Sequence, residues 1–143
     1  MHALETSALD DATAQDLSER LADVFRTADV GDLFADDLFF DGHPPFWRFQ
    51  LEGRDEFAAW LEGYSPEGNE TTVVRTVPTV NGFVAEFVGR QQQAGEEITD
   101  RKILLCEVGQ GRITDLTVYC SGDWDHALRA RHTAETTLLR PTR

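Results

Sequence analysis

Basic side chains are scarce in this chain, and lysine is almost missing. Lys102 stands alone beside twelve arginines, against 26 carboxylates, for a formal net charge of -13. That balance excludes the basic stripe that nucleic-acid phosphates need, and any attraction to anionic membrane surfaces. Cysteine is as sparse. Cys106 and Cys120 form no Cys-x-x-Cys pair and allow at most one disulfide, so two buried thiols in a reducing compartment are expected. No apolar run approaches the roughly 20 residues that cross a bilayer. The stretch from Met1 to Asp16 is acidic and lacks the apolar core of a secretory signal, so a cytoplasmic location is expected. Metal-ligand spacing is missing as well. His2, His43, His126 and His132 include no His-Glu-x-x-His pattern, and His126 and His132 do not share a helical face. Neither a metal nor a phosphate-cradling glycine loop is expected.

What is present fits one domain. A chain of 143 residues with 41% hydrophobic content can bury about two thirds of its unfolded surface. Charge is unevenly placed: residues 1–41 carry eleven carboxylates and two arginines, residues 126–143 four arginines and one glutamate. The acidic end reads as a solvated helix face that favours solubility. The basic tail, with Leu138 and Leu139 as apolar anchors, is expected to lie across a neighbouring subunit.

Periodicity sets the order of elements. Leu17, Leu21, Val24, Phe25 and Ala28 recur at helical spacing from Ala12 to Asp29, with Asp11 or Thr13 as cap and Gly31 as stop. Leu38, Phe39 and Phe40 make a short buried strand that His43-Pro44-Pro45 breaks. Phe46 to Leu51 alternates, with Trp47, Phe49 and Leu51 on one face. A second helix runs from Gly53 to Glu62 with Gly63 after it. Ser65 to Asn69 is a turn. Four strands follow over 70–80, 83–93, 98–108 and 112–120, joined at Asn81-Gly82, Ala94-Gly95 and Gly109–Gly111. Pro78 and Gly89 are candidate bulges. A third helix runs from about Asp123 to His132. The organisation expected is a flexible N-terminus over 1–11, one domain over 12–132 and a tail over 133–143.

Several side chains could carry chemistry. Asp41 and His43 lie two apart at a strand end, beside Phe40, Phe46 and Trp47. In an apolar mouth they would move protons near neutral pH; otherwise they form a polar turn. Trp47, Trp60 and Trp124 would hold a flat apolar ligand or else fill core. On the strand that opens Asp100-Arg101-Lys102, alternation gives Asp100 and Lys102 one face and Arg101 the other. Arg101 pointing inward would bind a ligand carboxylate or phosphate; Asp100 pointing inward would be a base. Cys120 reads as a buried thiol rather than a nucleophile.

Helix, strand, helix, then antiparallel strands ending in Gly111 to Trp124 resembles the nuclear transport factor two-like superfamily. The branch it resembles is that of the SnoaL-like cyclases and ketosteroid isomerases. The resemblance covers roughly residues 12–125. The stretch Trp124 to His132 and the Arg140-Pro141 ending also look like tails of uncharacterised bacterial members. The resemblance implies an α+β cone, a strongly curved and mostly antiparallel sheet on three helices around a pocket. It implies a homodimer through the outer sheet face and a cofactor-free proton-transfer isomerase, cyclase or dehydratase. The substrate would be an apolar metabolite, polycyclic ones included. A small-ligand binding protein, or an assembly domain with a filled cone, is the alternative. The charged triad of limonene-epoxide-hydrolase-like members is not matched, because Glu86-Phe87-Val88-Gly89 and Val118 stand at its positions. Phe87 and Val118 are expected to form apolar pocket wall instead.

Overall fold

The computed structural model describes residues 9–64 and 69–142. Residues 1–8 of the expected flexible N-terminus, and 65–68 of the expected turn, lie outside the described residues. The first helix, α1 (Asp11–Thr27), buries its apolar stripe, with small Ala14, Ser18 and Ala22 letting it lie close to the sheet. Its cap is Asp10, not Asp11 or Thr13: the Asp10 carboxylate accepts the Thr13 backbone N–H at 2.7 Å. That bond lowers the Asp10 pKa. The helix stops at Ala28, ahead of Gly31. Ala28 takes the left-handed conformation (φ 59) and its N–H closes onto the Val24 carbonyl at 2.8 Å.

β1 (Phe34–His43) and β2 (Phe49–Glu52) form an antiparallel pair, and α2 (Arg54–Tyr64) follows directly. β1 is longer than its apolar core because exposed Asp36 and Asp37 sit at an irregularity between Phe34 and Phe39. α2 buries Phe57 and Leu61 and continues through Gly63 to Tyr64. Next come β3 (Glu70–Pro78), β4 (Gly82–Gln93), β5 (Glu96–Gly109), β6 (Arg112–Cys120) and α3 (His126–Glu135). The six strands form one curled sheet in the order β2-β1-β6-β5-β4-β3, with β1 and β6 parallel and every other pair antiparallel. The fold is thus the α+β cone, with a mostly antiparallel sheet and three helices.

The sheet bends elsewhere than at the expected residues. Register shifts fall between Val73 and Arg75 on β3, and between Glu107 and Val108 on β5. Pro78 ends β3, and Gly89 pairs in regular register with Asp100. Glycine at 89 has another cause: a Cβ there would sit 2.4 Å from Asp100 Oδ1.

Strand parity fixes what the cone contains. On β5, Ile98, Asp100, Lys102, Leu104 and Cys106 are buried, while Arg101, Ile103 and Leu105 are exposed. The inner face packs on α1 and α2 through a phenylalanine cluster. Phe34 meets Phe57 edge-on at 5.1 Å between centroids, and Phe25 meets Phe87 at 6.2 Å.

Candidate functional site

A cavity of about 200 Å³ opens between the inner sheet face and the two long helices. Its walls are carbon. Phe40 on β1, Phe49 on β2, Phe25 on α1 and Val118 on β6 line it, with Pro44 and Pro45 at the mouth. Trp60 and Tyr64, one helical turn apart on α2, complete the wall and stack at 4.9 Å between centroids.

The polar groups gather at one end. Lys102, Cys120, Tyr64 and Asp123 line that end, and Asp100 lies behind them. Three groups converge on Asp100 Oδ2: the Lys102 ammonium, the Tyr64 hydroxyl at 3.3 Å and the Cys120 sulfur at 3.9 Å. The other oxygen, Oδ1, is buried without a hydrogen-bond partner among the described residues, in the space that Gly89 leaves empty. Asp100 and Lys102 side chains are only 6% and 8% exposed. A buried pair of this kind contributes little net stability against an apolar replacement, so stability alone gives no reason for it.

Electrostatics follow from this crowding. Burial raises the Tyr64 hydroxyl, with the Asp100 charge adding to it. Burial also raises the Cys120 thiol, against the pull of Lys102 and the Gly122 N–H. Asp123 stands at the exposed rim. Partial desolvation by the cavity wall raises its carboxyl, Asp100 adds to the rise, and Lys102 opposes it. A carboxyl raised in this way is suited to hold and release a proton.

The residues expected from sequence are divided by the sheet. Trp60 and Val118 line the cavity. Asp41 does not line it. Phe40 and Gly42 face inward, so alternation turns the Asp41 side chain to the outer face, while His43, at the end of β1, is among the residues that line the cavity. On the outer face Asp41 accepts two hydrogen bonds from Arg48, both at 3.0 Å, which hold its pKa down at about 2. The His43 ring stacks on Tyr119 at 4.2 Å. Its Nε2 lies 3.2 Å from Asp41 Oδ2 but off the hydrogen-bond line. Asp41 is therefore held in an outer-face ion pair with Arg48.

Four other expectations are corrected. Arg101 faces outward and pairs with Glu86 Oε2 at 3.0 Å, because β5 parity gives Asp100 the inner face. Trp47 is 72% exposed on the turn after Pro44, one residue past Phe46 with its positive φ. Phe87 is core, buried against Phe25 behind the cavity wall. Trp124 bridges to Thr99 by its backbone and packs edge-on against His132 at 5.2 Å, away from the lining. Asp123 and Tyr64 escaped sequence reasoning, one as the expected start of the third helix and the other as a residue beyond the expected stop of the second, which in fact runs on to Tyr64. The signal for Tyr64 was its spacing of four from Trp60.

No group of three His, Cys, Asp or Glu among the described residues is placed to hold a metal ion. Both cysteines are free thiols. No described helix is long and apolar enough to cross a membrane.

No family model and no curated protein matches the chain. Solved structures do. A LEH-like epoxide hydrolase from M. tuberculosis superposes with a TM-score of 0.63 at 18% identity, covering 77% of this chain and 84% of that one. A hypothetical protein of ketosteroid isomerase-like fold from Catenulispora acidiphila, in complex with trimethylamine, gives 0.63 at 16%, covering 73% and 84%. A nuclear transport factor two-like protein from Anabaena variabilis gives 0.63 at 18%, covering 78% and 89%. At these identities the likeness shows the fold, the nuclear transport factor two-like cone, and function stays with the site. The charge inside this cone lies on β5, where Asp100 and Lys102 pair across from Gly89 and Phe87 of β4.

Proposed function

We propose that this chain is a cofactor-free small-molecule enzyme that moves a proton on an apolar ligand beside a carbonyl. The observation that carries the reading is a carbon-walled cavity whose charged groups, Lys102 and Asp123 with Asp100 behind them, stand at one end. An apolar ligand buries its rings against Trp60, Phe40 and Phe49, and its oxygen reaches the Lys102 ammonium. That ammonium stabilises charge developing on the oxygen when a neighbouring C–H is lost. Asp123 is the proton carrier. Enone isomerisation, aldol cyclisation and dehydration of a β-hydroxy ketone share this step. At about 200 Å³ the cavity lies below the roughly 300–1,000 Å³ of pockets for drug-sized ligands. It fits one or two rings better than a polycyclic skeleton.

Hydrogen–deuterium exchange tests this. The full-length protein should speed loss of the protons beside the carbonyl of phenylacetone in D₂O, followed by NMR. Asp123→Asn should slow that exchange about 100-fold, a usual general acid/base contribution. Exchange no faster than in buffer defeats the reading. A binding protein is the second reading. It is favoured by the way Tyr64, Lys102 and Cys120 already spend hydrogen bonds on Asp100, and it gives saturable binding without exchange.

The expected homodimer belongs to the same reading. Ile103, Leu105 and Tyr119 are 41%, 42% and 50% exposed on the outer face, a surface that a second copy would cover. Sedimentation should show a dimer that Ile103→Asp weakens. A monomer at all concentrations contradicts it.

A further inference from the structure

We infer that Lys102 is a nucleophile whose ε-amine forms an imine with a small apolar aldehyde or ketone held in the cavity. The inference rests on the cavity being the ligand site and adds a covalent step to it. The first observation is compositional. Twelve cationic positions are arginine and one is lysine, and that one lines the cavity. A guanidinium keeps its proton and does not attack carbonyls, whereas an amine can release its proton and do so. A chain that otherwise uses arginine throughout keeps lysine where an amine has a use.

The second observation is the setting of the amine. The Lys102 side chain is 8% exposed and its ammonium bonds Asp100 Oδ2. Asp100 Oδ1 is buried with no hydrogen-bond partner among the described residues, so the carboxylate has capacity to take a proton from the nitrogen beside it. Nζ lies 5.5 Å from the Phe25 ring centroid and 5.7 Å from that of Tyr64. The amine thus sits between two aromatic rings at the cavity's end. Asp123 lines the same end of the cavity and serves the carbonyl oxygen.

The step balances without oxidant or reductant. Lys102 gives one ammonium proton to Asp100. The nitrogen lone pair then forms the N–C bond, and the carbonyl π pair moves to oxygen, which takes a proton from Asp123. Asp123 recovers a proton from nitrogen. Asp100 returns its proton to the departing hydroxyl, which leaves as water while the C=N bond forms. Two of the three ammonium protons leave in the water, and both carboxyl groups end as they began.

Reductive trapping tests the inference. The full-length protein is incubated with benzaldehyde and sodium cyanoborohydride, then read by intact mass and peptide mapping. The expected result is one reduced equivalent on the peptide that contains Lys102, and none there in Lys102→Arg. Lys102 is the one lysine among the 143 residues, so the map alone settles the site even if the variant folds poorly. No gain in mass, or a gain confined to the amino terminus, overturns the inference. Tryptophan emission of the Trp47→Phe, Trp124→Phe double variant is titrated with benzaldehyde in parallel. Saturable quenching of Trp60 without trapping leaves the cavity as ligand site and removes the imine. Absence of both removes both.

Discussion

Asp41 shows how one side chain can have the right chemistry on the wrong face. Its type and its spacing from His43 suit proton transfer, but Arg48 holds it as an ion pair on the outer sheet face. The sign of its effect on stability follows. The folded pKa is depressed from 3.8 to about 2, so the stabilisation is complete well above pH 4 and is lost as pH falls through the folded value. Arg48→Met should therefore flatten the loss of stability between pH 4 and pH 2, read by urea unfolding at a series of pH values. An unchanged acid limb would show that the ion pair contributes nothing. At this scale the sequence was legible in pairs and not in absolute direction. The alternation of Asp100, Arg101 and Lys102 was readable, but which of them faced inward depended on the packing of β5 against β4 and β6. No local signal carries that information.

Elements were more legible than their ends. The bounds of β6 (Arg112–Cys120) could be read from turn to stop, because Gly111 and Ser121-Gly122 bracket an alternating run. α1 moved by a residue or two because Asp10 outcompeted Asp11 as cap. β1 hid its first half behind Asp36 and Asp37, which break the apolar pattern at an irregularity. Gly89 misled for a physical reason. Its lack of a side chain makes room for a carboxylate on the next strand, a tertiary cause that resembles a bulge signal in sequence. α2 supplies one wall of the cavity and is held by Phe57, fully buried against Phe34 and Phe40. Phe57→Ala should cost about 3–5 kcal/mol of unfolding free energy and loosen Trp60 and Tyr64. Chemical denaturation would show it. A loss below about 1 kcal/mol would mean that α2 is not anchored by this contact.

The whole molecule carries a charge of -13 on a small surface. The acids of α1 leave few nearby cations: Arg20 pairs with Asp32 at 3.2 Å and Arg26 with Asp23 at 2.6 Å. Self-repulsion of this kind is relieved by screening, since the Debye length falls from about 10 Å at 0.1 M to about 3 Å at 1 M salt. The midpoint of thermal unfolding should therefore rise as sodium chloride increases over that range. A falling midpoint would show that the surface ion pairs outweigh the repulsion. The tail has a place at this scale too. Thr142 returns to the outer face beside Val74 and Arg101, while Leu139 remains 94% exposed.

The central claim is that the carbon-walled cavity with Lys102 at its end is where this protein meets its ligand. The most direct measurement is isothermal titration of a small aromatic ketone into the full-length chain and into Val118→Phe, which fills the cavity from β6, with folding of both checked by circular dichroism. The predicted result is saturable binding at one site per chain with a negative heat-capacity change, at least tenfold weaker in the folded variant, or about 1.4 kcal/mol. Binding of equal strength in the two proteins would place the ligand somewhere other than this cavity.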